Sequence, residues 1–133
     1  MYNVKQIDMM FSELGALIDA ESIIRFDDHH WKIVFVEGQV VDIIHTLDSH
    51  KLTLESAMSP RMPIKLEAFY TMLLEYNYCW RDTGGIRIAI HNDNIIQLFD
   101  LFTQDLNVNV LVDVLKRFVE RLSVWRTILN EFY

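Results

Sequence analysis

With 133 residues, 51% of them hydrophobic and 23% charged, the chain is sized and composed for one folded domain rather than a disordered segment. It can bury roughly two-thirds of its unfolded surface without a disulfide or metal staple. A net charge of -7 with no basic run argues against phosphate backbones and anionic membranes as partners, and no apolar stretch approaches the ~18 residues of a membrane span.

The opening MYNVKQIDMM lacks a basic segment followed by an apolar run, so no secretory signal is expected. The single cysteine, Cys79, has no internal disulfide partner. The chain reads as cytoplasmic. Val4, Ile7, Phe11, Leu14 and Ile18 recur at steps of three and four, the stripe of a first helix. Asn3 is placed to cap it, with Gln6 three residues on. Met10 and Leu17 widen the stripe to the edge of a core, and Met9 falls outside it.

Short β-branched and aromatic runs follow, separated by DDHH and EG, and predict three strands at about Ile23–Phe26, Trp31–Glu37 and Gln39–Leu47. Their short connections favour antiparallel pairing. Ser49 to Pro63 reads as a loop region ending in SPRMPI. Pro63 suits the first turn of a second helix, PIKLEAFYTMLLEYNYCW, which is apolar around more than half its girth and so asks to be covered on two sides.

Gly84 and Gly85 end that helix. The stretch IRIAIHNDNIIQLFDLF then predicts a hairpin turning at Asn92–Asp93. Its second strand is apolar on both faces, with Ile96, Leu98 and Phe102 on one and Ile95, Phe99 and Leu101 on the other. Leu111, Leu115, Phe118, Leu122, Trp125 and Leu129 define a last helix, with Asn107 as its cap. The order α-β-β-β-α-β-β-α describes a single α+β domain over residues 1–133, a twisted antiparallel sheet with flanking helices.

No catalytic constellation emerges. His29, His30, His45 and His50 lack a recognised zinc spacing, and polar turns explain them. Cys79 has no neighbouring base and reads as a buried, inert thiol, and Gly84–Gly85 follows a helix instead of opening one, so neither a thiol nucleophile nor a phosphate loop is indicated. Lys116, Arg117 and Arg121 are interleaved with Asp113 and Glu120 at helical spacing and read as a self-paired, solvated face. No cofactor, metal or enzymatic activity is expected.

GGIRIAIHNDNIIQLFDL followed by LVDVLKRFVERLSVWRTIL resembles the ending of class I type III secretion chaperones, the Tir-chaperone-like family. The matching features are the glycine-led strand, tight turn and second strand, then Phe118–Val119 and Trp125–Arg126 with Leu129 in the closing helix. Leu73–Tyr78, LLEYNY, resembles the Leu-Leu-x-x-Asn ending of the family's second helix, with Asn77 as the asparagine. In element order the resemblance covers nearly the whole chain, and in identifiable residues about the last half. One departure is that Asp48 to Met62 lacks the family's glycine-marked strand ending.

The resemblance implies an acidic cytoplasmic homodimer without enzymatic activity. It would bind the non-globular N-terminal segment of one or more secreted effectors and keep them soluble for delivery to the secretion apparatus. An adaptor subunit pairing with a folded protein is the alternative. On the chaperone reading, Met9, Leu17, Ile33, Phe35, Val41 and Ile43 are the expected effector-binding residues. Leu66, Tyr70, Leu73, Leu74, Tyr78, Phe99 and Leu101 are the expected dimer interface.

Overall fold

The computed structural model describes residues 4–46, 48–59 and 66–132. Its elements are α1 (Val4–Leu14), β1 (Ala20–Asp27), β2 (His30–Phe35), β3 (Val40–Thr46), β4 (Lys51–Ser59), α2 (Leu66–Tyr78), β5 (Arg87–His91), β6 (Asn94–Phe102) and α3 (Val108–Leu129). The six strands form one antiparallel sheet in the order β1-β2-β3-β4-β6-β5. The expected caps at Asn3 and Pro63 lie outside the described residues.

The segment expected to be a loop after Ser49 is largely a strand. In β4, Leu52, Leu54, Ser56 and Met58 face inward, while Lys51, Thr53, Glu55 and Ala57 alternate with them. Lys, Glu, Ser and Ala are depleted in strands, which hides that alternation. Ser56 is tolerated among the apolar side chains because its hydroxyl donates to the Val40 carbonyl at 2.6 Å. This strand joins the two hairpin systems into one sheet, pairing with β3 on one side and β6 on the other.

The remaining punctuation follows the sequence. Asn92 and Asp93 both take positive φ in the β5–β6 turn, as a two-residue hairpin with right-handed twist requires. Asn107 caps α3, its side-chain oxygen accepting from the Val110 amide at 2.9 Å.

One sheet face is covered by α1 and α3, which also touch each other. Phe11 on α1 stacks on Trp31 of β2, centroids 4.7 Å apart, and the Trp31 indole N–H donates to Asp8 Oδ1 at 3.1 Å. The buried Gln97 of β6 donates to the Phe118 carbonyl of α3 at 2.9 Å. The core between these layers holds Ile7, Leu14, Ile33, Ile43, Leu52, Leu54, Ile95, Leu111, Leu115, Phe118 and Trp125. Each such fully buried side chain contributes about 1.5–3 kcal/mol.

The apolar residues on both faces of β6 are thereby placed. Ile95, Gln97, Phe99 and Leu101 share the inner face; Ile96 and Leu98 sit half-buried on the other, and Phe102 is exposed there. That outer face carries a polar cluster instead of a second layer. Asp100 accepts from Arg87 at 2.9 Å and Thr53 at 2.9 Å, with Lys51 at 3.8 Å.

α2 stands beside the sheet and not over it. Phe69 and Leu73 are buried, Tyr76 meets Trp125 of α3 edge-on at 4.8 Å, and Asn77 hydrogen-bonds to the outer strand β5. The β5 edge is thus closed by α2, whereas among the described residues no strand pairs with the outer side of β1.

Candidate partner-binding surfaces

Ile33 and Phe35 on β2 and Val41 and Ile43 on β3 alternate with their neighbours, and burial decides which face is which. Ile33, Val41 and Ile43 have no exposed surface and Phe35 retains 8%. All four lie in the main core under α1 and α3. The expectation that they form an effector-binding face is therefore corrected. Period-two patterning gives two faces without a sign, and the helices take this one. Met9 and Leu17, by contrast, remain 58% and 47% exposed on and just beyond α1.

The surface on this side is built from other residues. A groove of about 510 Å³ runs between α1 and β1, with Phe11, Ile23 and Trp31 supplying apolar lining. Gly15, just beyond α1, also lines it, and a Cβ there would make ordinary van der Waals contact with Ile23 Cδ1 at 3.6 Å. Arg25 bridges Asp8 of α1 at 3.0 Å and Asp28 at 2.7 Å, fixing β1 against the helix. Beyond the groove, Ile24 and Phe26 are exposed on β1, and the β1–β2 register shifts at both ends of the strand. An edge strand beside an apolar groove is suited to receiving an extended peptide by strand addition.

The second surface lies on α2. Leu66, Tyr70, Leu74 and Tyr78 recur every four residues, and all are exposed, Leu74 at 72% and Tyr78 at 85%. They form one continuous apolar stripe along the helix. Of the three companions expected at a dimer interface, burial within this chain corrects Leu73 alone, while Phe99 and Leu101 stay half-buried. Leu73 is buried within the chain's own core, and Phe99 and Leu101 face inward, opposite Leu54 and Leu52 in the ladder and packed against that core.

Among the described residues no three His, Cys, Asp or Glu side chains come together as a metal site. His29 and His45 approach at 5.7 Å between ring centroids, while His30 instead bonds to Asp42 at 2.9 Å. Burial, followed by the nearby His29 and His50, lowers the pKa of His45 from its ordinary value of 6.5. Cys79, expected to be buried, is instead exposed just beyond the end of α2, where the helix leaves the body of the domain. No described helix is long and apolar enough to cross a membrane.

No protein-family model matches the sequence, and no curated protein matches it. Solved structures do. A chain of the ExsC–ExsE complex superposes with a TM-score of 0.79 at 15% identity, covering 97% of this chain and 97% of that one. A chain of the HopA1–SchA chaperone–effector complex gives a TM-score of 0.70 at 13% identity, covering 91% of this chain and 93% of that one. Near-complete coverage of both chains at such low identity means that the layer arrangement and the strand order are shared, not the surface residues. The chain therefore has a class I type III secretion chaperone-like fold, as its C-terminal half led one to expect.

Proposed function

We propose that this protein is a cytoplasmic type III secretion chaperone that binds the non-globular N-terminal segment of one or more effectors and keeps them soluble and competent for secretion. The free β1 edge beside the apolar α1 groove carries the reading, because that combination suits an extended chain and not a compact small substrate. An unfolded effector segment would gain backbone hydrogen bonds along β1 and bury apolar side chains against Phe11, Ile23 and Trp31. Met9 and Leu17 would extend the contact, methionine adapting readily to varied partners. No catalytic step is required of the chaperone.

The exposed stripe Leu66–Tyr70–Leu74–Tyr78 supports a homodimer through α2, which would place two grooves on one particle. A neighbour of the same fold comes from a chaperone–effector complex, which agrees with this role.

Native co-purification from a bacterium carrying the secretion apparatus tests the proposal, with mass spectrometry and light scattering on the eluted complex. Two copies of this chain with one larger secreted protein, held through its N-terminal region, is the expected result. Stable association with a folded cytosolic protein, without affinity for effector N-termini, would establish the adaptor role instead. Within the complex, Met9→Asp with Leu17→Asp should weaken capture of the effector segment while leaving the chaperone folded.

A further inference from the structure

A separate pocket of about 530 Å³ opens toward the other end of the strand order from the α1 groove, between α3 and the loop joining α2 to β5. Its apolar lining comes from Ile86, Phe99, Val114 and Phe118, of which Ile86, Val114 and Phe118 are buried by the rest of the chain. Gly84 and Gly85, both at positive φ, leave the mouth bare; a Cβ on Gly85 would reach the Phe99 ring at 3.5 Å.

Arg81, Arg117 and Arg121 also line this pocket. The self-pairing expected of the α3 charges does not occur. Among the described residues none of these three guanidinium groups has a carboxylate within 4.0 Å, although Asp82 and Glu120 border the same pocket. The sheet cations Arg25, Lys32, Lys51 and Arg87, in contrast, are all paired. Arg117 and Arg121 stand one helical turn apart, a like-charge spacing that mildly destabilises a helix. Arg81 is held against the face of Trp80, its guanidinium carbon 5.0 Å from the ring centroid. Arg117 Nε donates to the Asp113 backbone carbonyl at 3.5 Å, and guanidinium groups without a carboxylate partner above an apolar floor are the complement of a carboxylate flanked by an apolar side chain.

We propose that this pocket is a docking site for an acidic linear segment of a protein partner, with a leucine- or phenylalanine-sized side chain against Phe99 and Val124 and flanking carboxylates on Arg117 and Arg121. The surplus negative charge of the chain, -7 overall, repels such a segment at long range. Recognition is therefore by contact inside the pocket, and the local guanidinium groups supply it. This site is independent of the α1 groove and does not rest on the chaperone reading.

The test is amide chemical-shift mapping on the full-length protein, titrated with a capped hexapeptide of alternating glutamate and leucine. A lysine–leucine hexapeptide and inorganic phosphate serve as controls. Saturable shifts at Gly84, Gly85, Arg117, Arg121 and Val124 with the acidic peptide alone are expected. Arg117→Glu with Arg121→Glu should weaken that binding by at least about tenfold, and Lys116→Glu should leave it nearly unchanged. Should the double reversal unfold the protein, Arg117→Gln with Arg121→Gln provides the same comparison. Absence of shifts at millimolar peptide, shifts mapping elsewhere, equal response to the basic peptide, or phosphate acting as well as the peptide would each overturn the proposal. So would shifts explained by self-association of the chain, which dilution without peptide would reproduce.

Discussion

Asn77 at the end of α2 hydrogen-bonds to both backbone groups of Ile88. Its amide nitrogen donates to the Ile88 carbonyl at 2.9 Å, and its side-chain oxygen accepts from the Ile88 amide at 2.9 Å. An antiparallel strand points the N–H and C=O of one residue to the same side, and a primary amide reproduces that pairing. Asn77 thus acts as one residue of a missing strand, closing the β5 edge and docking α2. Among the described residues the β1 edge has no such plug, so the two edges of the sheet differ.

Replacing Asn77 by Ala should leave both Ile88 groups without protein partners and cost about 1–3 kcal/mol. Asn77→Asp should be no better, since a second carboxylate oxygen would face the Ile88 carbonyl. Chemical denaturation of each variant measures the loss; unchanged midpoints would show that solvent replaces the amide without cost.

Ile43→Asp, alone or with Phe35→Asp, should unfold the domain and not simply abolish partner binding. Ile43 is fully buried, and an unpaired carboxylate there costs about 4 kcal/mol or more, a large share of the stability of a small domain. Far-ultraviolet circular dichroism at room temperature is the check, and a native spectrum would return these residues to the surface.

Leu74→Glu should behave in the opposite way. Its side chain is largely exposed, so monomer stability should change by no more than ~0.5 kcal/mol. If the α2 stripe joins two copies, light scattering should report a monomer for this variant where the parent is a dimer. A variant that stays dimeric with Tyr78→Glu added would move the interface off α2.

Stability should fall as pH drops below the ordinary histidine value of 6.5. The folded-state pKa of His45 is lowered by burial and by His29 and His50, so the unfolded chain binds its proton first. The contribution is complete above 6.5 and is lost as pH falls toward the depressed folded value. Urea unfolding at about pH 8 and about pH 5.5 measures it, and His45→Leu should flatten the dependence. A second loss belongs to stronger acid. Burial alone would raise the pKa of Asp100, but hydrogen bonds from Arg87 and Thr53 and the charges of Arg87 and Lys51 outweigh it and hold it below its ordinary value. Its contribution is present above that value and disappears as pH falls through the lowered one.

Element type, order and punctuation were legible in the chain wherever local chemistry dictates them. The Leu111 to Leu129 spacing, the Asn107 cap and the Asn92–Asp93 turn depend on neighbours within a few residues, and each appears as expected. The family-like residues Gly84, Asn77 and Trp125 led to the right fold for reasons that are structural: a turn, an edge plug and the α2–α3 contact. What tertiary structure alone decided was sign and partnership. Alternation could not tell whether Ile33 and Ile43 face helices or solvent, because a period of two is symmetric until something covers one side. Helical spacing paired Arg117 and Arg121 with Glu120 and Asp113 on paper, whereas side-chain directions left the arginines around a pocket. β4 was hidden because its inward serine and outward glutamate and lysine are affordable only once strands on both sides satisfy its backbone.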